Sequence, residues 1–143
     1  MAISKSSAQW TGTIKAGKGT MKPAHAEAIG FSLGSRFEGQ PGSNPEEVLG
    51  AALAGCFSMA LSLSLETAGS PPKDIRTEAA VKLDKDGAGF TITSIELTTQ
   101  ADVPGIDAAK FEEIAQATKK ACPVSKALAA VGNITLKATL GAL

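Results

Sequence analysis

Residues 44–69 read NPEEVLGAALAGCFSMALSLSLETAG, and how this stretch begins, continues and stops decides the fold. Asn44 can cap a helix with its side-chain oxygen, and Pro45 suits the first helical position because it has no N–H to leave unpaired. Glu46 and Glu47 put negative charge in the first turn, where the helix dipole favours it. Gly69 and the pair Pro71-Pro72 mark the other end. The spacing predicts one long helix over 45–68. From 48 to 65 it carries no charge, which imitates a membrane span, but Gly50, Gly55, Ser58, Ser62 and Ser64 dilute it and it stands alone. A helix buried within a soluble assembly is the better reading, with no membrane as partner.

Working outward, residues 8–15 and 18–22 flank Ala16-Gly17 and predict a hairpin with Trp10, Gly12 and Ile14 facing one way. The segment 22–44 has little periodicity and holds Pro23, Gly30, Gly34, Gly39, Pro41 and Gly42, so it is expected to be loop with short strands. Beyond the helix, 77–84 alternates with Ala79, Val81 and Leu83 on one side. Lys85-Asp86-Gly87 turns the chain into a long strand over 90–103. Apolar parity there is even at Phe90 and Ile92 but odd at Ile95, Leu97 and Val103, so a bulge is expected near Thr93-Ser94. Asp107 caps a second helix carrying Phe111, Ile114, Ala115 and Ala121. Cys122-Pro123 interrupts it and starts a short helix over 123–130, and a last strand covers 133–140. With no repeat or linker, this is one α+β domain over 1–143, with mainly antiparallel strands and two principal helices.

The chain has 143 residues, 43% hydrophobic and 20% charged, with 14 basic and 14 acidic side chains, two cysteines and one histidine. A domain of this length buries roughly two-thirds of its unfolded surface, enough for a core without disulfides. Zero net charge argues against nucleic acid or an anionic membrane as partner. Two distant cysteines and His25 make no metal-ligand cluster, and His25 lies in an expected loop, Pro23-Ala24-His25-Ala26-Glu27, with no tyrosine to share acid–base work. The start, Met1-Ala2-Ile3-Ser4-Lys5, has no apolar run behind its lysine, so a reducing cytoplasm with free thiols is expected.

The thiols are therefore the main reactive groups. Cys56 falls mid-helix on a stripe with Leu49, Ala52, Leu53, Met59, Ala60 and Leu63, where a cysteine is usually an inert small hydrophobe. Cys122 precedes a helix-starting proline, an N-cap position that stabilises a thiolate. A peroxide-reducing thiol needs a thiolate, donors that hold it, and a second thiol to condense with the sulfenic acid. Two cysteines meet the first and third demands. The second calls for an arginine: Arg36 lies in Gly34-Ser35-Arg36-Phe37-Glu38-Gly39 just before the long helix, while Arg76 reads as a solvated charge at a strand start. Glu47 reads as a first-turn capping residue, Lys119-Lys120 as a solvated helix end, and Phe31, Phe37, Phe57 and Phe111 as core. From these residues alone, a non-catalytic stress-related or ligand-binding protein and a thiol hydrolase using only Cys56 stay open.

Arg36-Phe37-Glu38-Gly39, Asn44-Pro45-Glu46-Glu47, Gly50-Ala51-Ala52, Ala54-Gly55-Cys56-Phe57-Ser58-Met59-Ala60, Val103-Pro104-Gly105-Ile106 and Cys122-Pro123-Val124-Ser125 together resemble the OsmC/Ohr family of organic hydroperoxide reductases. The resemblance runs over about 10–140 and is nearest the osmotically inducible OsmC branch. It implies an intertwined homodimer with antiparallel sheets wrapped around long central helices, and a peroxidase that prefers organic hydroperoxides. It matches Cys56 to the peroxidatic cysteine, Cys122 to the resolving one, and Arg36 and Glu46 to the pair that orients and activates the thiolate. Lys15 and Lys18 are the alternative cations, because in the Ohr branch the arginine comes from a more N-terminal segment. No cofactor or metal is implied, and a dithiol, with lipoyl groups suggested, is the expected reductant.

Helix arithmetic adds a constraint. Glu46 and Cys56 are ten residues apart, about 15 Å along a straight helix, and cannot touch within it. An antiparallel copy crossing near Ala51 on the small residues Ala51, Ala54, Gly55 and Ser58 would bring Glu46 of one chain beside Cys56 of the other. Composite active sites are expected, each with Glu46 from the partner subunit.

Overall fold

Alternation brings β1 (Ser6–Thr11) and β2 (Lys18–Pro23) together as an antiparallel pair in the computed structural model, which describes residues 1–143. β2 then pairs with β3 (Ile29–Phe31) to complete a three-stranded sheet. The hairpin closes earlier than its sequence suggests. Gly12 takes a φ of 94° and Gly17 N–H donates to Thr13 O at 2.7 Å, so residues 12–17 form the turn. Ile14 therefore lies in that turn, 63% exposed, and not on the face of Trp10. Trp10 packs on Phe31 with ring centroids 5.5 Å apart. Gly19 lies beneath both rings, where a Cβ would come within 2.5 Å of Phe31, so only glycine fits.

The segment expected as loop with short strands also holds a helix, α1 (Leu33–Phe37). Ser32 Oγ accepts from Ser35 N–H at 3.1 Å, and Ser35 Oγ accepts from Ser32 N–H at 2.9 Å, a reciprocal capping box. Serine in place of the usual Glu or Gln at the third position hides this box from a sequence pattern. These elements belong to one compact unit, Met1–Val48; a second is Leu49–Leu143.

The long helix, α2 (Pro45–Thr67), starts and stops as its caps require. Asn44 Oδ1 accepts from Glu47 N–H at 2.9 Å, while Gly69 takes a φ of 85° and Ser70 N–H returns to Leu65 O at 2.9 Å. By length and composition alone it would suit a membrane. Leu53, Phe57, Leu61 and Leu65, each four residues from the next, are nevertheless fully buried in the core of the second unit.

That unit contains β4 (Asp74–Asp86), β5 (Gly89–Asp102) and β6 (Ile134–Leu140), in that spatial order. β4 and β5 are antiparallel, with Lys82 opposite Ser94 and Leu83 opposite Ile92. Thr93 is left over, which places the bulge where the apolar parity changes. β5 and β6 are parallel, Ile95 lying opposite Ile134, so this sheet is mixed, while the other strand pairs are antiparallel as expected of a mainly antiparallel fold. Between them the chain passes through α3 (Ala108–Ala121), α4 (Pro123–Ala127) and a 3-10 turn (Ala129–Val131). A crossover of that kind returns a strand in the parallel sense. The predicted short helix over 123–130 is thus split into α4 and the turn.

Ile95, Leu97 and Ala101 of β5 and Phe111 and Ala115 of α3 join the α2 stripe in one cluster. Each large side chain buried there is worth about 1.5–3 kcal/mol. The polar groups among them are paired. Ser58 Oγ donates to Thr77 Oγ1 at 2.8 Å, Thr77 and Thr99 hydroxyls meet at 2.9 Å, and Thr99 Oγ1 donates to Arg76 O at 3.1 Å. The other side of α2 is also apolar: Met59 and Leu63 are 80% and 65% exposed, beside exposed Ala51, Ala52 and Gly55. The stripe expected around Cys56 therefore loses Ala52, Met59 and Leu63 to the open face, because an uncharged helix gives no polar side by which to orient it.

Candidate active site: two pairs of side chains

Cys56 and Cys122 are both free, and their sulfurs stand 3.0 Å apart. Cys56 comes from the middle of α2, next to core-facing Phe57, and is partly exposed. Cys122 is fully buried at the junction of two helices. Its N–H closes α3 by donating to Thr118 O at 2.9 Å, and Pro123 then begins α4. A hydrogen bond links the sulfurs, and either can hold the proton. The gap is about 1 Å longer than a disulfide bond, so an oxidant that removes two electrons can join the sulfurs with little movement.

The two thiols are driven in opposite directions. Burial pushes the Cys56 thiol up, the hydrogen bond with Cys122 adds to this, and the nearby Val124 N–H opposes it without prevailing. Burial also pushes Cys122 up, but the Ser125 N–H, Cys56, the Ser125 hydroxyl and the Val124 N–H together bring it below the ordinary thiol value. Within this pair Cys122 is the more acidic sulfur, as its place at a helix start suggests.

The second pair lies in the first unit. Arg36 closes α1, where the dipole favours a cation, and Glu46 opens α2, where it favours an anion. Arg36 Nε donates to Glu46 Oε2 at 3.1 Å and Nη2 donates to Oε1, a two-pronged contact that fixes the plane of the guanidinium. Glu46 is 9% exposed. Arg36 also covers the ring of Phe37 at 5.2 Å. The four predicted site residues thus form two pairs, one in each unit.

The remaining candidates take lesser places. Lys15 and Lys18 line a separate cleft with Ser32, Gly34, Glu38 and Gln40. Arg76 is 71% exposed and meets Asp74 at 3.7 Å, and His25 is exposed. Glu47 accepts from the Ser43 hydroxyl at 2.7 Å while its N–H serves the Asn44 cap, a structural role. Lys119 is not merely solvated: its Nζ donates to Ile134 O at 2.9 Å and ties α3 to β6. Val124 and Ser125 act on the thiols although no role was read for them. Their signal is the spacing of a capping box, with cysteine at the cap and serine three residues on.

Residues 37–137 match the family model described as OsmC-like protein. Peroxiredoxin OsmC of Escherichia coli (strain K12) is 52% identical over 136 residues, 92% of this chain and 92% of that one. The chain belongs to the OsmC family. Organic hydroperoxide resistance protein OhrB of Bacillus subtilis (strain 168) is 32% identical over 104 residues, 72% of this chain and 73% of its own. The crystal structure of an OsmC-like protein from Mycoplasma pneumoniae, at 16% identity, covers 99% of both chains with a TM-score of 0.78, which extends the likeness of fold across OsmC members of low identity. The segment matched to the OsmC family contains Glu46, Cys56 and Cys122; Arg36 lies one residue before it.

Proposed function

We propose that this chain, a cysteine-based peroxidase of the OsmC family, reduces organic hydroperoxides to alcohols through Cys56 and closes a disulfide with Cys122. The observation that carries the reading is the thiol pair itself: two sulfurs 3.0 Å apart, one partly exposed and one fully buried. Acidity alone would choose Cys122 as attacker. Access chooses Cys56, because a hydroperoxide must reach the sulfur before the thiolate can act. Cys56 thiolate attacks the distal peroxide oxygen, the O–O bond breaks, and the alkoxide takes a proton to leave as alcohol. Cys122 thiolate then attacks the Cys56 sulfenic sulfur, expelling hydroxide, which is protonated to water. A dithiol, such as a lipoyl group, reopens the bridge by exchange.

Because burial and Cys122 raise the Cys56 pKa, attack near neutral pH calls for a cation. Arg36, held by Glu46, is our assignment. Since Arg36 and Glu46 are paired within their own chain, they serve a neighbouring thiol together, and the expected source is the partner subunit of a homodimer crossing at α2. The open apolar face of α2 supports that arrangement. A reducing cytoplasm keeps both thiols available, and the chemistry needs no metal, nucleic acid or membrane.

The test is consumption of cumene hydroperoxide with dihydrolipoamide as reductant. Cys56→Ser should lose at least about 10³-fold in turnover, as removal of a nucleophile does. Cys122→Ser should complete one turnover and then stall. Undiminished consumption by Cys56→Ser contradicts the reading.

A further inference from the structure

Buried side-chain hydroxyls in this protein have partners, with Ser125 as the exception. The residue is 8% exposed, and its Oγ is shielded from water without a hydrogen bond. A buried hydroxyl without a partner is costly, and a native structure that keeps one calls for a reason.

The reason lies in how α4 begins. Ser125 is the third residue of that helix, and in a capping box the side chain at this position accepts from the N–H of the cap residue. Ser35 does this in α1, accepting from Ser32 N–H at 2.9 Å. In α4 the cap residue is Cys122, whose N–H is already committed to Thr118 O at 2.9 Å, because the same residue ends α3. The usual partner of the Ser125 hydroxyl has been taken. No side-chain cap bond forms in its place; the Ser125 N–H favours charge on the Cys122 sulfur, while the Ser125 hydroxyl at the same start of helix is left without a partner.

We infer that Ser125 is a positioning residue for the resolving step, its hydroxyl donating to the Cys122 sulfur once that sulfur carries charge. A neutral thiol is a weak acceptor and leaves the hydroxyl idle; a thiolate is a strong one. The bond therefore forms in the state that attacks and not in the resting state, which is how a donor accelerates a step. The direction in which the Ser125 hydroxyl moves Cys122 agrees with this. The ionisable group facing Cys122 from another element is Cys56 on α2. Lys119 and Lys120 of α3 and Lys126 of α4 line the cleft of about 290 Å³ that Ser125 also borders.

The inference rests on Cys122 being the resolving thiol, so its test is split. In a Cys56→Ala background, Cys122 titrates alone and its ultraviolet thiolate absorbance is followed against pH. Ser125→Ala should move the midpoint upward by about one pH unit, the size of a hydrogen bond to a charged group, and Ser125→Thr should restore it. In the otherwise unaltered protein given one equivalent of cumene hydroperoxide, Ser125→Ala should increase the Cys56 sulfenic acid trapped by dimedone several-fold. An unchanged midpoint overturns the inference whatever the enzyme does. A shifted midpoint in a protein that consumes no hydroperoxide leaves Ser125 acting on Cys122 and defeats the peroxidase reading instead. Because the hydroxyl is unpartnered at rest, Ser125→Ala should melt no lower than the parent, and marked destabilisation also contradicts the inference.

Discussion

Helix α2 carries one thiol and the end of α3 positions the other, yet the two helices are built in opposite ways. α3 is amphipathic: Phe111, Ala115 and Thr118 are buried, while Lys110 and Glu113 pair on the open side at 3.4 Å. α2 has no charge from 48 to 65; it buries Leu53, Phe57, Leu61 and Leu65 and leaves Met59 and Leu63 open. α3 is complete within its unit. α2 has one apolar face more than its own chain covers, and in our reading a second copy covers it. The helix that carries the attacking cysteine is then also the assembly helix, which ties access to Cys56 to the oligomeric state.

The buried faces of the two helices should be equivalent. Phe57→Ala and Phe111→Ala, both fully buried, should each cost about 3–5 kcal/mol in urea unfolding. A far smaller loss at Phe57 would mean that the inner face of α2 contributes less than its burial implies.

The outer faces should differ. Leu63→Lys should shift the sedimentation coefficient to that of a monomer and lower hydroperoxide turnover at least tenfold, while Glu113→Lys should change stability by no more than about 0.5 kcal/mol and leave sedimentation alone. A dimer that survives Leu63→Lys removes the contrast.

The smallest effect belongs to neither helix. Asp84 in the β4/β5 hairpin accepts from the Thr93 hydroxyl beside the bulge and meets Lys82 Nζ at 3.2 Å. The Thr93 and Lys82 hydrogen bonds hold its carboxyl below the usual range. A lowered folded-state value means that its stabilisation is present above the unfolded pKa and disappears as pH falls through the folded one. Asp84→Asn should therefore slightly lower stability at neutral pH and converge with the parent as pH falls through the folded value, which flattens the acid side of a stability–pH profile.

Much of this was legible in the sequence, and the residues say why. Asn44, Pro45 and Gly69 bounded α2, a parity change located the bulge at Thr93, and Pro123 ended α3, each through a local rule about caps, faces or missing donors. The Ser32–Ser35 box was hidden by an unusual residue choice. The orientation of α2 was hidden by having two apolar faces, and the parallel β5/β6 pairing by depending on where a crossover returns. At the site, the two thiols and Arg36 stood out by their chemistry and family resemblance added Glu46 and the roles, but the grouping into an Arg36–Glu46 pair and a Cys56–Cys122 pair is tertiary information. Ser125 escaped because its importance comes from a partner it lacks, which only the commitment of Cys122 N–H to Thr118 reveals.

The central claim is that accessible Cys56 attacks although buried Cys122 is the more acidic sulfur. The direct measurement treats the reduced protein and its Cys56→Ser and Cys122→Ser variants with one equivalent of cumene hydroperoxide in the presence of dimedone, and maps the products by mass spectrometry. The account predicts a Cys56–Cys122 bridge within one chain of the parent, a dimedone adduct on Cys56 when Cys122 is replaced, and no adduct on Cys122 when Cys56 is replaced. An adduct on Cys122 formed as fast as the parent's bridge, with Cys56 left reduced in the Cys122→Ser variant, would contradict it.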